Sequence, residues 1–431
     1  MLSCDTNLSP RFSSISLFTG AGGLDLGLEA AGFDVCAAIE MDGDCVRTLR
    51  HNRKWPVIQE SIHDVTSREL LHTAGLSVGE VDLLVGGPPC QPFSKSGYWA
   101  NGSSKRLDDP RATTLEAFLR ILRDLKPRAF LIENVAGLAY SGKDEGLRLI
   151  SETIRSINKE SGTDYSIELL ILNAVDFGAP QIRERAFLVG SRDGREFGKL
   201  KHIYHPPPAL SDQPRQLRIS SDLQVYRTAW DAIGDLQEDA GEDLSISGKW
   251  ADLLPAIPEG ANYLFHTERG GGLPLFGWRR RFWNFLLKLS KNQPSWTITA
   301  SPGPATGPFH WKNRRLSVRE LCRLQTFPDD YVLTGTYRAA LRQLGNAVPC
   351  VLAEVIGIEI RLRLLGDLSA QGMKPSLIPA KRLNIPPPEP VASVPQKYLH
   401  LIGEHTPHPG TGKGNRALRL KHEAKSGDNS K

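Results

Sequence analysis

Three groups of side chains in this sequence have the types and spacing to do chemistry. The first is a cysteine in the run V-D-L-L-V-G-G-P-P-C-Q-P-F-S, residues 81–94. Residues 81–85 predict a short buried strand, stopped by Gly86-Gly87-Pro88-Pro89. Cys90 then sits on a loop stiffened by proline on both sides, at a strand's carboxyl end, where open α/β sheets place their chemistry. A thiol held in this way is suited to nucleophilic attack. The second group is Glu133, which follows the apolar run 129–132. A carboxylate at the end of a buried strand costs free energy unless it is used, although E-N-V alone would serve equally well as an acid at a helix start. The third is Q-x-R-x-R, Gln181, Arg183 and Arg185, leading into an apolar run at 186–189. Residues two apart on a strand share a face, so these three predict one polar row.

A binding pattern precedes them. Residues 14–18 predict a strand, Thr19-Gly20-Ala21-Gly22-Gly23 a tight turn, and residues 24–31 a helix. Strand, glycine turn and helix begin a nucleotide-binding unit, because the glycines let backbone approach a ligand and the helix start offers free N–H groups. A second strand, 35–39, ends in Glu40, 18 residues after Gly22, where an acid can take ribose hydroxyls. Met41 follows, and Asp64-Val65 closes another short apolar segment, with Asp64 placed to accept from an adenine amino group.

The elements that must position these groups alternate. A helix is predicted at 113–125, a strand at 129–132, a helix at 146–158, strands at 166–172 and 186–189, and a last helix at 351–365. Residues 95–111, with Lys95, Lys105, Arg106 and Arg111, are too long for a turn and read either as a functional lid or as a disordered, solvated charge run. From 194 to 295 periodicity is poor, and aromatic and basic residues interleave in F-G-W-R-R-R-F-W, 276–283. At 431 residues, 40% apolar and 23% charged, the chain has the composition of a globular protein. It shows no 18-residue apolar run and no apparent leader, and is expected to be cytoplasmic. Its six cysteines form no C-x-x-C pair, which points away from zinc or a disulfide framework, and no metal is expected. Net charge is +5, and residues 366–431 carry ten Lys/Arg against five Asp/Glu, so this Pro-rich basic segment holds about the whole excess and is expected to be disordered.

Taken together, F-x-G-x-G-G-L (Phe18 to Leu24), Glu40, the G-G-P-P-C-Q-P-F-S loop, Glu133-Asn134-Val135, Q-x-R-x-R, the block 313–329 and Q-L-G-N-A-V-P (343–349) resemble, in family order, the cytosine-C5 DNA methyltransferases. The resemblance covers residues 13–365. It implies an α/β fold: a Rossmann-like S-adenosylmethionine-dependent methyltransferase sheet with a smaller, irregular target-recognition domain. The expected division is 11–194 and 297–365 for the catalytic and cofactor-binding domain, 195–296 for target recognition and 366–431 for the tail. It further implies Cys90 as nucleophile, Glu133, Arg183 and Arg185 as catalytic partners, and a cofactor site of Phe18, Gly20, Gly22, Gly23, Leu24, Glu40, Met41, Asp64, Val65 and Asn346. Arg319 would be a structural ion-pair donor, and Arg279, Arg280 and Arg281 would be able to read guanine edges. The partners implied are double-stranded DNA and a cognate restriction endonuclease, with the chain acting as a monomer. Met41 departs from the aromatic residue the family often has there. Other readings have less in their favour. An RNA methyltransferase would not need so long a block at 194–295, a non-catalytic regulator would not keep all four catalytic residues, and a dinucleotide oxidoreductase would need G-x-G-x-x-G.

Overall fold

The computed structural model describes residues 11–89, 113–135, 145–206, 224–236, 241–278, 282–403 and 405. Its first half alternates strand and helix: β1 (Phe12–Leu17), α1 (Gly23–Ala30), β2 (Phe33–Ile39), α2 (Gly43–Asn52), β3 (Val57–Ile58), α3 (Ser67–Ala74), β4 (Leu83–Gly86), α4 (Thr113–Leu125), β5 (Ala129–Val135), α5 (Glu145–Ser161), β6 (Glu168–Asn173), β7 (Gln181–Ile182) and β8 (Glu184–Ser191). Seven of these strands form one sheet in the order β3-β2-β1-β4-β5-β8-β6. Neighbours are parallel except that β8 runs against both β5 and β6. The central strands read as continuous apolar runs because both faces are covered. On one face Ile15, Leu17, Leu84 and Phe130 pack against Leu70 of α3, Phe118 and Leu122 of α4 and Ile154 of α5. On the other, Leu83, Val85, Leu131 and Phe187 pack against Leu28 of α1 and the last long helix.

That helix, α9 (Cys350–Arg363), comes after β9 (Tyr204–His205), β10 (Gln224–Val225), α6 (Ala229–Ile233), β11 (Ser295–Trp296), α7 (Val318–Leu324) and α8 (Tyr337–Asn346). α1 and α9 approach very closely. A Cβ on Gly27 would lie 2.2 Å from the Cys350 carbonyl, and one on Gly357 would lie 2.8 Å from the Ala31 Cβ. Residues 337–363 are long and apolar enough to cross a membrane, but 83% of their most apolar window is buried inside the fold.

A second, irregular core gathers Leu253, Leu254, Ile257, Tyr263, Leu275, Leu286, Phe309 and Tyr398. Trp250 binds it together, stacking on Tyr398 at 5.5 Å and meeting Phe276 edge-on at 5.0 Å. Trp278 and Trp283 stay partly exposed, Trp278 under Arg269 at 4.4 Å and Trp283 against Trp296 at 5.3 Å. Arg279, Arg280 and Arg281 lie outside the described residues, as do Lys95, Lys105, Arg106 and Arg111.

The expectation of disorder over 366–431 is corrected for residues 366–403. This segment is laid across the fold and held by named partners. Glu354 accepts from Ser376 N, Ser376 Oγ and Leu377 N, Asp231 accepts from Lys381 Nζ and Arg382 N, and Lys291 pairs with Glu389 at 2.9 Å. Tyr398 is part of the second core. Residues 406–431 lie outside the described residues.

Candidate active site

The carboxyl ends of β1, β2, β4 and β5 open onto one cavity of about 400 Å³. After β1 the chain turns through Gly20 (φ +58°) and Gly22 (φ +79°), conformations that favour glycine. A Cβ on Gly20 would meet nothing within 4 Å, so backbone at that turn is open to a ligand. A Cβ on Gly23 would instead lie 2.5 Å from the Val348 carbonyl, so the start of α1 must be bare to pack against the link between α8 and α9. Tyr331 fixes the same turn, its hydroxyl donating to the Ala21 carbonyl at 2.9 Å.

Glu40, at the end of β2, is nearly buried. Its carboxylate accepts from Gly20 N at 2.7 Å and Asp42 N at 2.8 Å, and burial holds its carboxyl above the ordinary range. Phe18, Leu24 and the largely exposed Met41 supply apolar wall, and Asn346 closes the far side. A bare glycine turn, a buried carboxylate and apolar flanks fit the ribose and adenine of S-adenosylmethionine. Asp64 and Val65 are not brought to this wall. Asp64 is exposed in a turn and Val65 is in the core, where Arg120 donates to the Ile62 and Val65 carbonyls at 3.0 and 3.1 Å. Three lining residues escaped the sequence reading, Asp42, Cys45 and Arg342. Arg342 pairs with Asp42, which caps α2, and lies 2.7 Å from Asp44. Its place four residues before Asn346 was the available signal, since i and i+4 share a helix face.

Asp25, in the first turn of α1, is fully buried with no well-formed hydrogen bond at either carboxyl oxygen. Burial raises it from an ordinary 3.8 to about 7. A raised folded pKa contributes stability that is present below the unfolded value and lost as pH rises through the folded one. From 3.8 to about 7 is about three units, on the order of 4 kcal/mol. Asp25→Asn should therefore flatten the stability profile between pH 4 and 8, and denaturant melts that keep the wild-type slope would refute this.

The opposite end of the cavity is polar. Glu133 on β5 and Arg185 on β8 are diagonal neighbours in the antiparallel register, and their Oε1 and Nε atoms lie 3.0 Å apart. Burial pushes the Glu133 carboxyl up, while the Arg185 guanidinium pulls it back. The Gly87-Pro88-Pro89 loop passes directly over this pair. A Cβ on Gly87 would lie 3.0 Å from Glu133 Oε2, and Asn134 Nδ2 donates to the Pro88 carbonyl at 3.4 Å. Cys90, the next residue after Pro89, lies outside the described residues.

The polar row expected of Gln181, Arg183 and Arg185 is divided. β7 ends at Ile182 and β8 begins at Glu184, so the three do not share one strand face. Arg185 lines the cavity. Arg183 is fully buried, donating to the Ile298 carbonyl at 3.0 Å and the Gly345 carbonyl at 2.6 Å. Gln181 donates to the Leu324 carbonyl and accepts from Ile298 N, both at 3.3 Å. Both side chains tie the returning chain to the sheet. Arg319 makes the expected ion pair, 2.8 Å from Asp329.

Against known proteins, residues 12–361 match the model of the family described as C-5 cytosine-specific DNA methylase. The chain is 37% identical over 386 residues to the type II methyltransferase M.SacI of Streptomyces achromogenes, covering 83% of this chain and 94% of that one. It is 31% identical over 338 residues to the type II methyltransferase M.NgoFVII of Neisseria gonorrhoeae, covering 78% and 82%. A crystal structure of a prophage-encoded E. coli protein, described as a DNA modification methyltransferase, aligns with a TM-score of 0.55 at 25% identity, over 83% of this chain and all of that one.

Proposed function

The chain belongs to the C-5 cytosine-specific DNA methylase family and is a DNA cytosine-5-methyltransferase, and from that premise we propose that it takes the methyl group from S-adenosylmethionine, adds Cys90 to C6 of a flipped-out cytosine, and acts within a specific duplex sequence. One observation carries this reading: a single cavity is walled at one end by the glycine turn and Glu40, and at the other by Glu133 and Arg185 beneath Gly87-Pro88-Pro89. When bound, S-adenosylmethionine supplies an electrophilic sulfonium methyl. Glu40 would take the ribose hydroxyls, and the Gly20 turn would let backbone approach the same ligand. C5 of cytosine is a weak nucleophile, so Cys90 as thiolate adds to C6 and makes the ring an enamine. Glu133, whose carboxyl is raised by burial against the pull of Arg185, donates in its protonated form to N3 as electron density arrives there and holds the exocyclic amine. Arg185 holds Glu133 in place and grips O2, while Arg183 acts at a distance by fixing the backbone at Ile298 and Gly345. After C5 is methylated its proton leaves to water, the C6–sulfur bond breaks with Cys90 departing as thiolate, and N3 returns its proton to Glu133. Attack on C6 comes from above the ring plane, so the base must leave the stack.

Burial pushes the thiols of Cys45, Cys322 and Cys350 up, away from thiolate chemistry. The type II relatives make a nuclease acting on the same site the expected companion. Expression in a methylation-free host with genome-wide mapping of 5-methylcytosine tests the reading: one methylated motif supports it, and unmodified DNA from soluble enzyme refutes it. Glu40→Ala should weaken S-adenosylmethionine binding by about 1.5–3 kcal/mol for each charged hydrogen bond lost. Unchanged affinity by calorimetry would take Glu40 out of the ligand's reach.

A further inference from the structure

The segment 374–402 begins on the catalytic body and finishes inside the second lobe. Its first anchor is Glu354 on α9, buried, which accepts three hydrogen bonds from Ser376 and Leu377. Lys381 and Arg382 then close on Asp231 of α6, whose neighbours Ala229, Ala232 and Ile233 pack with Leu321 and Leu324 of α7. Beyond the exposed Leu383 the partners change. Lys291, buried, holds Glu389 at 2.9 Å, Glu259 at 2.6 Å and the Pro387 carbonyl at 3.0 Å. Ala392 N donates to the Pro255 carbonyl at 3.0 Å, and Tyr398 inserts into the second core with its hydroxyl on the Lys249 carbonyl at 2.6 Å. The lobe's core is therefore completed by a residue that reaches it only after the chain has been clamped to the catalytic body.

We propose that residues 374–402 are a positioning strap that fixes the second lobe against the catalytic body, and that the fit of this strap determines how faithfully the enzyme discriminates its DNA site. The proposal rests on the second lobe being the part that reads sequence. Base readout depends on side chains held to about 0.5 Å and 10–20°, whereas methyl transfer depends on groups within the catalytic body. Loosening the strap should thus degrade discrimination before it degrades chemistry.

The test uses the full chain carrying Lys381→Ala with Glu389→Ala, and separately Tyr398→Phe, which removes only the hydroxyl. Expected for the double variant is a roughly tenfold rise in methylation at sites one base removed from the cognate motif, relative to the motif itself. The KM for cognate duplex should rise, with S-adenosylmethionine affinity and cognate kcat within about twofold of wild type. Tyr398→Phe should show the same direction with smaller size. A double variant with lowered melting temperature but wild-type discrimination would overturn the proposal in favour of a purely stabilising segment. Parallel loss of S-adenosylmethionine binding and kcat would overturn it too. Failure of the premise looks different: substitutions at Arg279, Arg280 and Arg281, with others across 241–296, would leave the methylated motif unaltered, whereas failure of the strap alone leaves those substitutions able to relax it.

Discussion

Cys90→Ser should transfer methyl groups at a rate lower by on the order of 10⁵-fold or more, the scale on which nucleophile removal acts in enzymes whose groups work as a unit. A thiol at neutral pH is a few per cent thiolate and intrinsically very nucleophilic, while a serine hydroxyl is almost wholly protonated. The covalent step can be made visible. DNA carrying 5-fluorocytosine at the target should accept one methyl group and then stay bonded to the wild-type protein, because fluorine cannot leave C5 as a cation. The complex should survive a denaturing gel only when S-adenosylmethionine is present, and Cys90→Ser should abolish it. An adduct that persists in Cys90→Ser would assign the nucleophile to another residue.

Glu133→Gln should lower turnover by about 10²–10⁴-fold while leaving duplex affinity within a few-fold of wild type, as expected of a proton donor acting in the transition state. The pH profile gives the sharper result. Burial raises the Glu133 carboxyl against the pull of Arg185, so its protonated form persists to higher pH than in an ordinary glutamate. Between that raised pKa and the thiol pKa, each pH unit yields ten times more Cys90 thiolate and ten times less protonated Glu133, so the wild-type kcat/KM should be flat. Glutamine does not titrate. The residual activity of Glu133→Gln should therefore climb about tenfold per pH unit across the same window, up to the thiol pKa. A variant with the wild-type plateau would show that Glu133 is not the proton donor.

The sheet and its loops were legible because fully covered strands are short apolar runs, each stopped by glycine, proline or a charged residue. Glu40, Glu133 and Arg185 all emerge at such stops and all line the cavity. Arg183 was not legible as an anchor. Its spacing places it beside Arg185, and only the folded chain shows two carbonyls, from residues 298 and 345, occupying its guanidinium. Asp64 illustrates the reverse case, a residue of the right type after the right segment that the fold leaves exposed outside the cavity. The strap was missed because composition carries no information about distant partners. Proline-rich, polar sequence lacks the periodicity that marks a core element, and residues 376–398 are ordered by side chains of Glu354, Asp231, Lys291 and Trp250 instead.

The close pairing of α1 with α9 has a consequence for how the protein is made. Gly27 and Gly357 allow contacts that admit no other side chain without movement, so the two helices are fitted closely to one another. More than 300 residues of chain separate them in order of synthesis. At roughly 5–20 residues per second, α1 leaves the ribosome on the order of 15–60 s before α9 can reach it. Throughout that interval the stripe of Gly27, Leu28 and Ala31 is uncovered, and the Gly23 turn has no Val348 carbonyl to rest on. The nascent chain therefore has no closed ligand site until translation has passed Arg363. The cavity is completed only late in synthesis, when residues 342–348 join the glycine turn.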